Sequence, residues 1–284
     1  MHLPPVAHRS ALITGCSSGI GLATAHLLRS RGWQVMASAR KTADVARLKS
    51  AGFDAVLLDV ADEASVAEAA ALTLRHFEGR LGALVNNAGY SEAGALEDLS
   101  RAALRRQFEV NVIGLQDLTN RLLPTLLAQG WGRIVHISSV LGRVVIPIQG
   151  AYCASKHAVE ALADAQRVEL HGTGVGLSLV EPGPIVTEFR RNAAAHATGR
   201  AGAPSAFSAY YEKEIPRRLK QRARGGLSLP PEAVARKIAH ALESPRPRTR
   251  YKVTLPAYLA PVARALASDG FYDWFAARRL PRRG

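Results

Sequence analysis

The sequence predicts an α/β protein built on a parallel sheet with helices on both faces. Three observations carry this. Short apolar runs without polar alternation recur at 10–14, 34–39, 55–60, 84–86, 133–138 and 174–183. Helical patterns of ten residues or more separate most of them, as in parallel β-α-β construction. The runs end in glycine-, asparagine- or proline-rich turns. Strands that read as continuous apolar runs are those covered on both faces, and such sheets bind ligands beyond their strand carboxyl ends.

Taken in order, SALIT at 10–14 is followed by GCSSGIG and then LATAHLLRSRG, ending at Gly32. This is strand, glycine turn, amphipathic helix. Gly15, Gly19 and Gly21 let the chain turn sharply and let backbone N–H groups approach a phosphate at the helix N-terminus. Their spacing is not G-x-G-x-x-G, so a purely structural turn stays open. The second strand, Gln34–Ala39, runs into Arg40 and Lys41. An acidic residue here would hold the ribose of NAD, whereas arginine suits a 2′-phosphate. Arg40 therefore points to NADP, with a solvated strand-end arginine as the alternative.

AVLLDV at 55–60 is a third strand and 62–78 an amphipathic helix. The fourth strand enters NNAG at 86–89. A helical stretch over 102–129 contains NVIG, where Gly114 weakens its continuity. RIVHIS at 133–138 is the next strand and 152–171 the next helix. A last strand, 174–183, ends at Pro182-Gly183. Beyond it, 184–204 is aperiodic and 205–222 is a charged helix candidate broken near Pro216. A helix runs from Pro230-Pro231-Glu232 to Glu243, and RYKVT at 250–254 is an edge strand. No repeat or linker divides the chain. It reads as one domain over 1–284, with 184–229 as a substrate-covering segment and 246–284 as a basic C-terminal extension.

The chain has 284 residues, 48% of them hydrophobic, enough for one sizeable core. Cys16 and Cys153 form neither a disulfide framework nor a metal-binding spacing, so no metal is expected and a reducing compartment is the simpler inference. The first ten residues lack a secretory apolar run, and no apolar run reaches eighteen residues. Cytoplasmic localisation is expected. The formal charge of +14 is uneven. Residues 1–212 carry 20 basic and 18 acidic side chains, and residues 213–284 carry 17 and 5. The basic end suits an anionic membrane surface, nucleic acid or solvent.

The densest chemistry lies in ISSVLGRVVIPIQGAYCASK at 137–156. A helix starting near Tyr152 puts Lys156 one turn on, on the same face. An ammonium beside a phenol favours the phenolate. A free tyrosine titrates near 10, so shuttling protons near neutrality needs a shift of about three units, roughly 4 kcal/mol. Ser138 and Ser139 stand at the preceding strand end as hydroxyls for a reacting oxygen. Tyrosine and lysine four apart on a helix are also common without chemistry, so the pair needs the rest of the chain.

With the glycine turn T14-G-C-S-S-G-I-G21, Asp59, N86-N-A-G89, Asn111, Ser139, Y152-C-A-S-K156, Pro182-Gly183 and Thr187 in order, the sequence resembles the short-chain dehydrogenase/reductase family over about residues 10–190. The resemblance implies a Rossmann-type doubly wound sheet of about seven strands, a nicotinamide cofactor, and interconversion of an alcohol and a carbonyl. By the family pattern Tyr152 is the acid/base. Lys156 binds the nicotinamide ribose and lowers the tyrosine pKa, Ser139 rather than Ser138 holds the substrate oxygen, and Asn111 completes a water-linked relay. The cofactor would lie on Gly15, Ser17, Ser18, Gly19, Ile20 and Gly21, then Arg40, Asp59 and Val60. It would continue along Asn87, Ala88 and Gly89 to Pro182, Gly183, Ile185 and Thr187. The other family position that selects the phosphate, just before the second glycine, holds Ser18 and not a base. NADP is the expected cofactor, with NAD as the alternative.

Leu141, Val145 and Phe189, with Phe207, Tyr210 and Tyr211, argue for a fairly large apolar substrate. The C-terminal segment resembles family members acting on steroids, retinoids or other lipid-like alcohols and ketones. The resemblance also implies a homodimer or homotetramer. No zinc-finger, RNA-platform or homeodomain pattern accompanies the basic end, so specific nucleic-acid binding is not expected. Basic and apolar residues alternate from Ala257 to Arg283, which suits weak contact with anionic membrane, peripheral rather than spanning. The competing function is a non-catalytic dinucleotide-binding regulator, or a membrane-associated protein with a dehydrogenase-like core.

Overall fold

The computed structural model describes residues 2–189, 192–193, 205–212, 227–278 and 280. Strands β1 (Ser10–Ile13), β2 (Gln34–Ala39), β3 (Asp54–Leu57), β4 (Ala83–Asn86), β5 (Gly132–Ile137), β6 (Val175–Pro182) and β7 (Arg250–Val253) form one sheet. Their order is 3-2-1-4-5-6-7 and every pairing is parallel. The helices are α1 (Gly19–Ser30), α2 (Thr42–Ser50), α3 (Glu63–His76), α4 (Arg101–Phe108), α5 (Gly114–Gln129), α6 (Gly150–Glu169), α7 (Pro231–Glu243), α8 (Leu255–Leu266) and α9 (Asp269–Ala277). This is the Rossmann-type, doubly wound architecture. Strand order reverses between β1 and β4, which opens a crevice above their carboxyl ends.

Successive side chains of a strand point to opposite faces, and here both faces are apolar. Ile13 and Val85 join one core with Ala25 and Leu28 of α1 and Val234, Ile238 and Leu242 of α7. Leu12 and Leu84 join the other with Val66 of α3, Leu118, Leu122 and Leu126 of α5, and Val159 of α6. Every residue of β4, β5 and β6 is buried, which is why their sequences show no alternation.

Several boundaries differ from the sequence reading. The third strand stops at Leu57, so Asp59 and Val60 belong to the following loop. Asp62, read as the first residue of the next helix, caps α3 instead, its side chain accepting from the N–H groups of Ala64 (2.9 Å) and Ser65 (3.2 Å). The single helix expected over 102–129 is α4 and α5 joined by a π-helical turn at Glu109–Ile113. Packing is close where the π turn meets α5: a Cβ on Gly114 would lie 1.7 Å from the carbonyl oxygen of Val60. Helix α2 was not read at all. Only Leu48 in it is buried, so it carries almost no periodic signal.

The excursion after β6 is closed at its base. Ile185 bridges Leu229, with Val186 N–H donating to Leu229 C=O (3.0 Å) and Leu229 N–H to Pro184 C=O (3.1 Å). Residues 208–212 are helical, and the rest of the charged candidate at 213–222 lies outside the described residues. The edge strand β7 is locked to α6 and β6 by Arg250. Its guanidinium bonds Glu160 (3.0 Å), Asp164 (2.7 Å) and Glu181 (3.1 Å). Burial of Glu181, with Glu160 beside it, holds the Glu181 carboxyl above the usual carboxylate range.

Gly114→Ala is expected to cost about 3 kcal/mol through overpacking against Val60. Gly270→Ala, whose added Cβ meets open space, should leave the melting temperature unchanged or slightly higher. Thermal melts of the two variants check the contrast.

Candidate active site

The loop after β1 turns through Gly15 (φ +72°) and Gly19 (φ +59°), a backbone region that side chains disfavour. A Cβ on Gly15 would sit 3.0 Å from Ala88 Cα, and one on Gly21 would sit 2.3 Å from Gly15 O. The turn therefore lies directly on the NNAG loop, and hydrogen bonds seal the contact. Thr14 Oγ1 accepts from the N–H groups of Asn87 (2.9 Å) and Ala88 (2.8 Å). Asn87 Nδ2 donates back to the carbonyls of Thr14 (2.8 Å) and Gly15 (3.1 Å). No side chain caps the start of α1, so its first N–H groups stay available to an anion.

Across the crevice, β5 ends at Ile137 and leads to Ser138 and Ser139. Ser139 starts a 3-10 turn, its hydroxyl accepting from Leu141 N–H (3.1 Å). Helix α6 presents Tyr152 and Lys156 one turn apart, both buried. Lys156 Nζ donates to Ile137 C=O at 2.7 Å and lies 5.8 Å from the centre of the Tyr152 ring. Phe189 packs against that ring, with centroids 5.5 Å apart.

Burial dominates the electrostatics. It pushes the Tyr152 phenol well above its ordinary value, and the hydrogen bond with Ser139 pulls only partly the other way. Desolvation is the largest influence on the phenol and sets its direction. Burial also lowers Lys156 to about 8, against the pull of Glu160 one turn further along α6. Tyr152 is thus a proton-bearing phenol, beside an ammonium that can lose its proton.

These groups open onto one cavity of about 1620 Å³. That exceeds the ~300–1,000 Å³ typical of a single small ligand and leaves room for a dinucleotide with a substrate. The residues expected to touch cofactor or substrate line it, with two exceptions. Gly21 lies behind the glycine turn, where its missing side chain permits the packing on Asn87. Asn111 lies in the π turn and its carboxamide is fully engaged. Oδ1 accepts from Tyr90 N–H (3.0 Å), while Nδ2 donates to Tyr90 C=O (3.0 Å) and Ser155 Oγ (3.0 Å). Asn87 lines the cavity, with its Nδ2 spent on the glycine turn. Arg40 and Lys41 are exposed at the rim. Tyr210 and Tyr211 reach the cavity, whereas Phe207 lines a smaller one behind it.

Sequence reasoning missed several contributors. Arg47 of α2 donates to Ser17 C=O (2.6 Å) and braces the glycine turn. Gln149 lines the cavity three residues before Tyr152 and accepts from Ser91 Oγ (2.6 Å). Pro256, Phe271 and Phe275 bring α8 and α9 to the wall. Beneath the site His136 is fully buried, 3.1 Å from Asn86 Nδ2, and burial plus the Lys156 charge lower it to about 3. Only Gln149, by its place ahead of the tyrosine, carried a local signal. Cys16, with its thiol pushed up to about 12 by burial, is chemically quiet.

A glycine cradle at a helix N-terminus facing a buried Tyr–Lys–Ser group, at the switch point of a parallel sheet, defines the class of nicotinamide-dinucleotide oxidoreductases. The comparisons narrow it. Residues 9–198 match the short chain dehydrogenase family profile. The chain is 41% identical over 268 residues to the uncharacterized oxidoreductase YbbO of Escherichia coli K12, covering 94% of both. It is 35% identical over 276 residues to an NADPH-dependent 3-dehydrocapnine reductase of Ornithobacterium rhinotracheale, covering 93% of this chain and 95% of that one. A Burkholderia phymatum short chain dehydrogenase/reductase solved in complex with NAD superposes with a TM-score of 0.77 at 29% identity, covering 92% and 94%. The chain belongs to the short-chain dehydrogenase/reductase family and is an NAD(P)-dependent oxidoreductase.

The buried His136 makes stability fall in acid. Below its ordinary 6.5 the unfolded chain takes up a proton that the folded chain refuses down to about 3. Stability from this residue is therefore lost as pH falls, by up to ~1.4 kcal/mol per pH unit. His136→Gln should flatten the slope of unfolding free energy between about pH 6 and 4. Urea titrations at several pH values measure it.

Proposed function

We propose that the protein interconverts an alcohol and its ketone or aldehyde with NADP(H), on fairly large apolar substrates of steroid-, retinoid- or lipid-like character. The observation that carries this is the meeting of Tyr152, Ser139 and Lys156 in one cavity with Phe189, Leu141 and Val145 beside them. The bound nicotinamide would supply or accept the hydride. In reduction Tyr152 donates its proton to the substrate oxygen as negative charge grows there, and the Ser139 hydroxyl stabilises that charge. Lys156, anchored on Ile137 C=O, binds the ribose and favours the phenolate left behind. In oxidation the phenolate takes the proton back. Asn111 acts as a positioning residue, since its amide clamps the Tyr90 loop to α6 through Ser155. A water-linked relay would then use groups other than this amide.

Arg40 and Lys41 at the rim favour a 2′-phosphate, and the NADPH dependence of the Ornithobacterium relative agrees. The segment 184–229, closed at its base by Ile185 and Leu229, covers the substrate and contributes Phe189, Tyr210 and Tyr211. Enzymes of this family typically oligomerise, and we assign a homodimer or homotetramer in the cytoplasm, with peripheral membrane contact through the basic C-terminus.

NADPH consumption with a panel of apolar ketones and aldehydes tests the reading. Tyr152→Phe should cut kcat by about 10²–10⁴ while leaving cofactor affinity within a few-fold. Tight NADPH binding without turnover of any carbonyl would favour the non-catalytic alternative. The reduction rate should fall as pH rises through about 8, where Lys156 loses its proton while Tyr152 keeps its own. Arg40→Ala should weaken NADPH about tenfold or more and leave NADH unchanged, the loss of one charge-assisted bond. An unchanged preference would refute the phosphate assignment.

A further inference from the structure

Helix α8 is apolar on both sides. Its inner stripe, Pro256, Ala260 and Ala263, lines the cavity. Its outer stripe, Leu255, Leu259, Val262 and Leu266, follows at i, i+4, i+7 and i+11 and runs from 54% to 84% exposed. Arg264 is its one charged side chain. A helix apolar all round belongs in a core or at a lipid surface. In α9, Phe271, Trp274 and Phe275 are each more than half exposed. Tyr272 turns inward, its hydroxyl accepting from Val145 N–H (3.1 Å) and donating to Val145 C=O, so the helix pair is fastened to the loop flanking Tyr152.

The sequence that follows Asp273 of α9 is basic, with Arg278, Arg279, Arg282 and Arg283 and no acidic residue. From Arg246 to the end of the chain there are nine basic and two acidic residues. One of the acids, Asp269, is paired with Arg264 at 2.5 Å, and Arg278 stacks 4.5 Å from the centre of the Trp274 ring. Among the described residues no helix is long and apolar enough to cross a membrane. At twelve residues α8 is about 18 Å long, against ~30 Å of hydrocarbon. Its geometry suits lying in the interface plane, with leucines and tryptophan among acyl chains and arginines at headgroups.

We infer that the outer face of α8 and α9 docks on an anionic phospholipid bilayer, so that an apolar substrate passes from the lipid phase between these helices into the cavity. The route rests on the apolar-substrate reading above, and the docking gives a surface to the peripheral membrane contact proposed there. Both helices wall the same cavity, and Phe271 and Phe275 are at once half-exposed and cavity-lining.

Co-sedimentation of the full chain with phosphatidylcholine vesicles, with and without phosphatidylglycerol, tests the docking. The chain should pellet about tenfold more with the anionic vesicles and lose most of that gain near 1 M salt, where screening shortens to ~3 Å. Acyl-brominated lipid should quench Trp274 fluorescence. The double variant Leu259→Gln/Trp274→Gln alters residues that do not line the cavity. It should lose vesicle binding about tenfold while keeping turnover of a water-soluble carbonyl and losing turnover of a vesicle-dissolved one. The inference is overturned if the wild type stays in the supernatant, if the double variant binds equally, or if the variant changes the sedimentation coefficient, which would make this face a contact between copies. Equal loss of both substrates in the variant overturns the portal. Vesicle binding without turnover of any carbonyl by the wild type counts against the proposed function alone.

Discussion

Thr14 ties together the loops that leave β1 and β4, at the point where the strand order reverses. Its hydroxyl takes two N–H groups from the NNAG loop, and Asn87 returns two bonds to the glycine turn. Four hydrogen bonds between two loops leave little freedom for either, and the missing side chains of Gly15 and Gly21 are what let them approach. The shape of the crevice follows from this contact. Asn87 Nδ2 is thereby used for the frame. Arg47 adds a brace from α2, a helix whose own packing is slight.

On the other side of the crevice the governing influence is burial. The same desolvation raises Tyr152, lowers Lys156 and lowers His136. Each shift favours the neutral form, so charge in this region has to be brought in or stabilised from outside the protein interior. A tyrosine in such a place is a proton donor by default. It becomes a base only when positive charge arrives to stabilise the phenolate.

The sheet was legible because its strands are buried on both faces and punctuated by Gly, Asn and Pro. Gln34–Ala39 and Pro231–Glu243 show how far apolar runs and a Pro-Pro-Glu start can be trusted. The glycine turn, NNAG and the Tyr–Lys spacing were legible because each is a local pattern with a local cause. What escaped the sequence depends on contacts distant in the chain. Gly114 is called for by a carbonyl at Val60, 54 residues earlier. The Asn111 carboxamide is bonded to Tyr90 and Ser155, and Tyr152 is raised by neighbours that no spacing reveals.

The family profile match ends at residue 198, and β7 lies some fifty residues beyond it. Arg250 nevertheless reaches from that strand to Glu160, one helical turn past Lys156. The C-terminal edge strand is thereby moored to the helix that carries Tyr152 and Lys156 by one guanidinium and three carboxyl groups. The cavity walls that α8 and α9 supply follow directly from that strand. One ion cluster thus gives the reactive groups and the C-terminal walls a common frame.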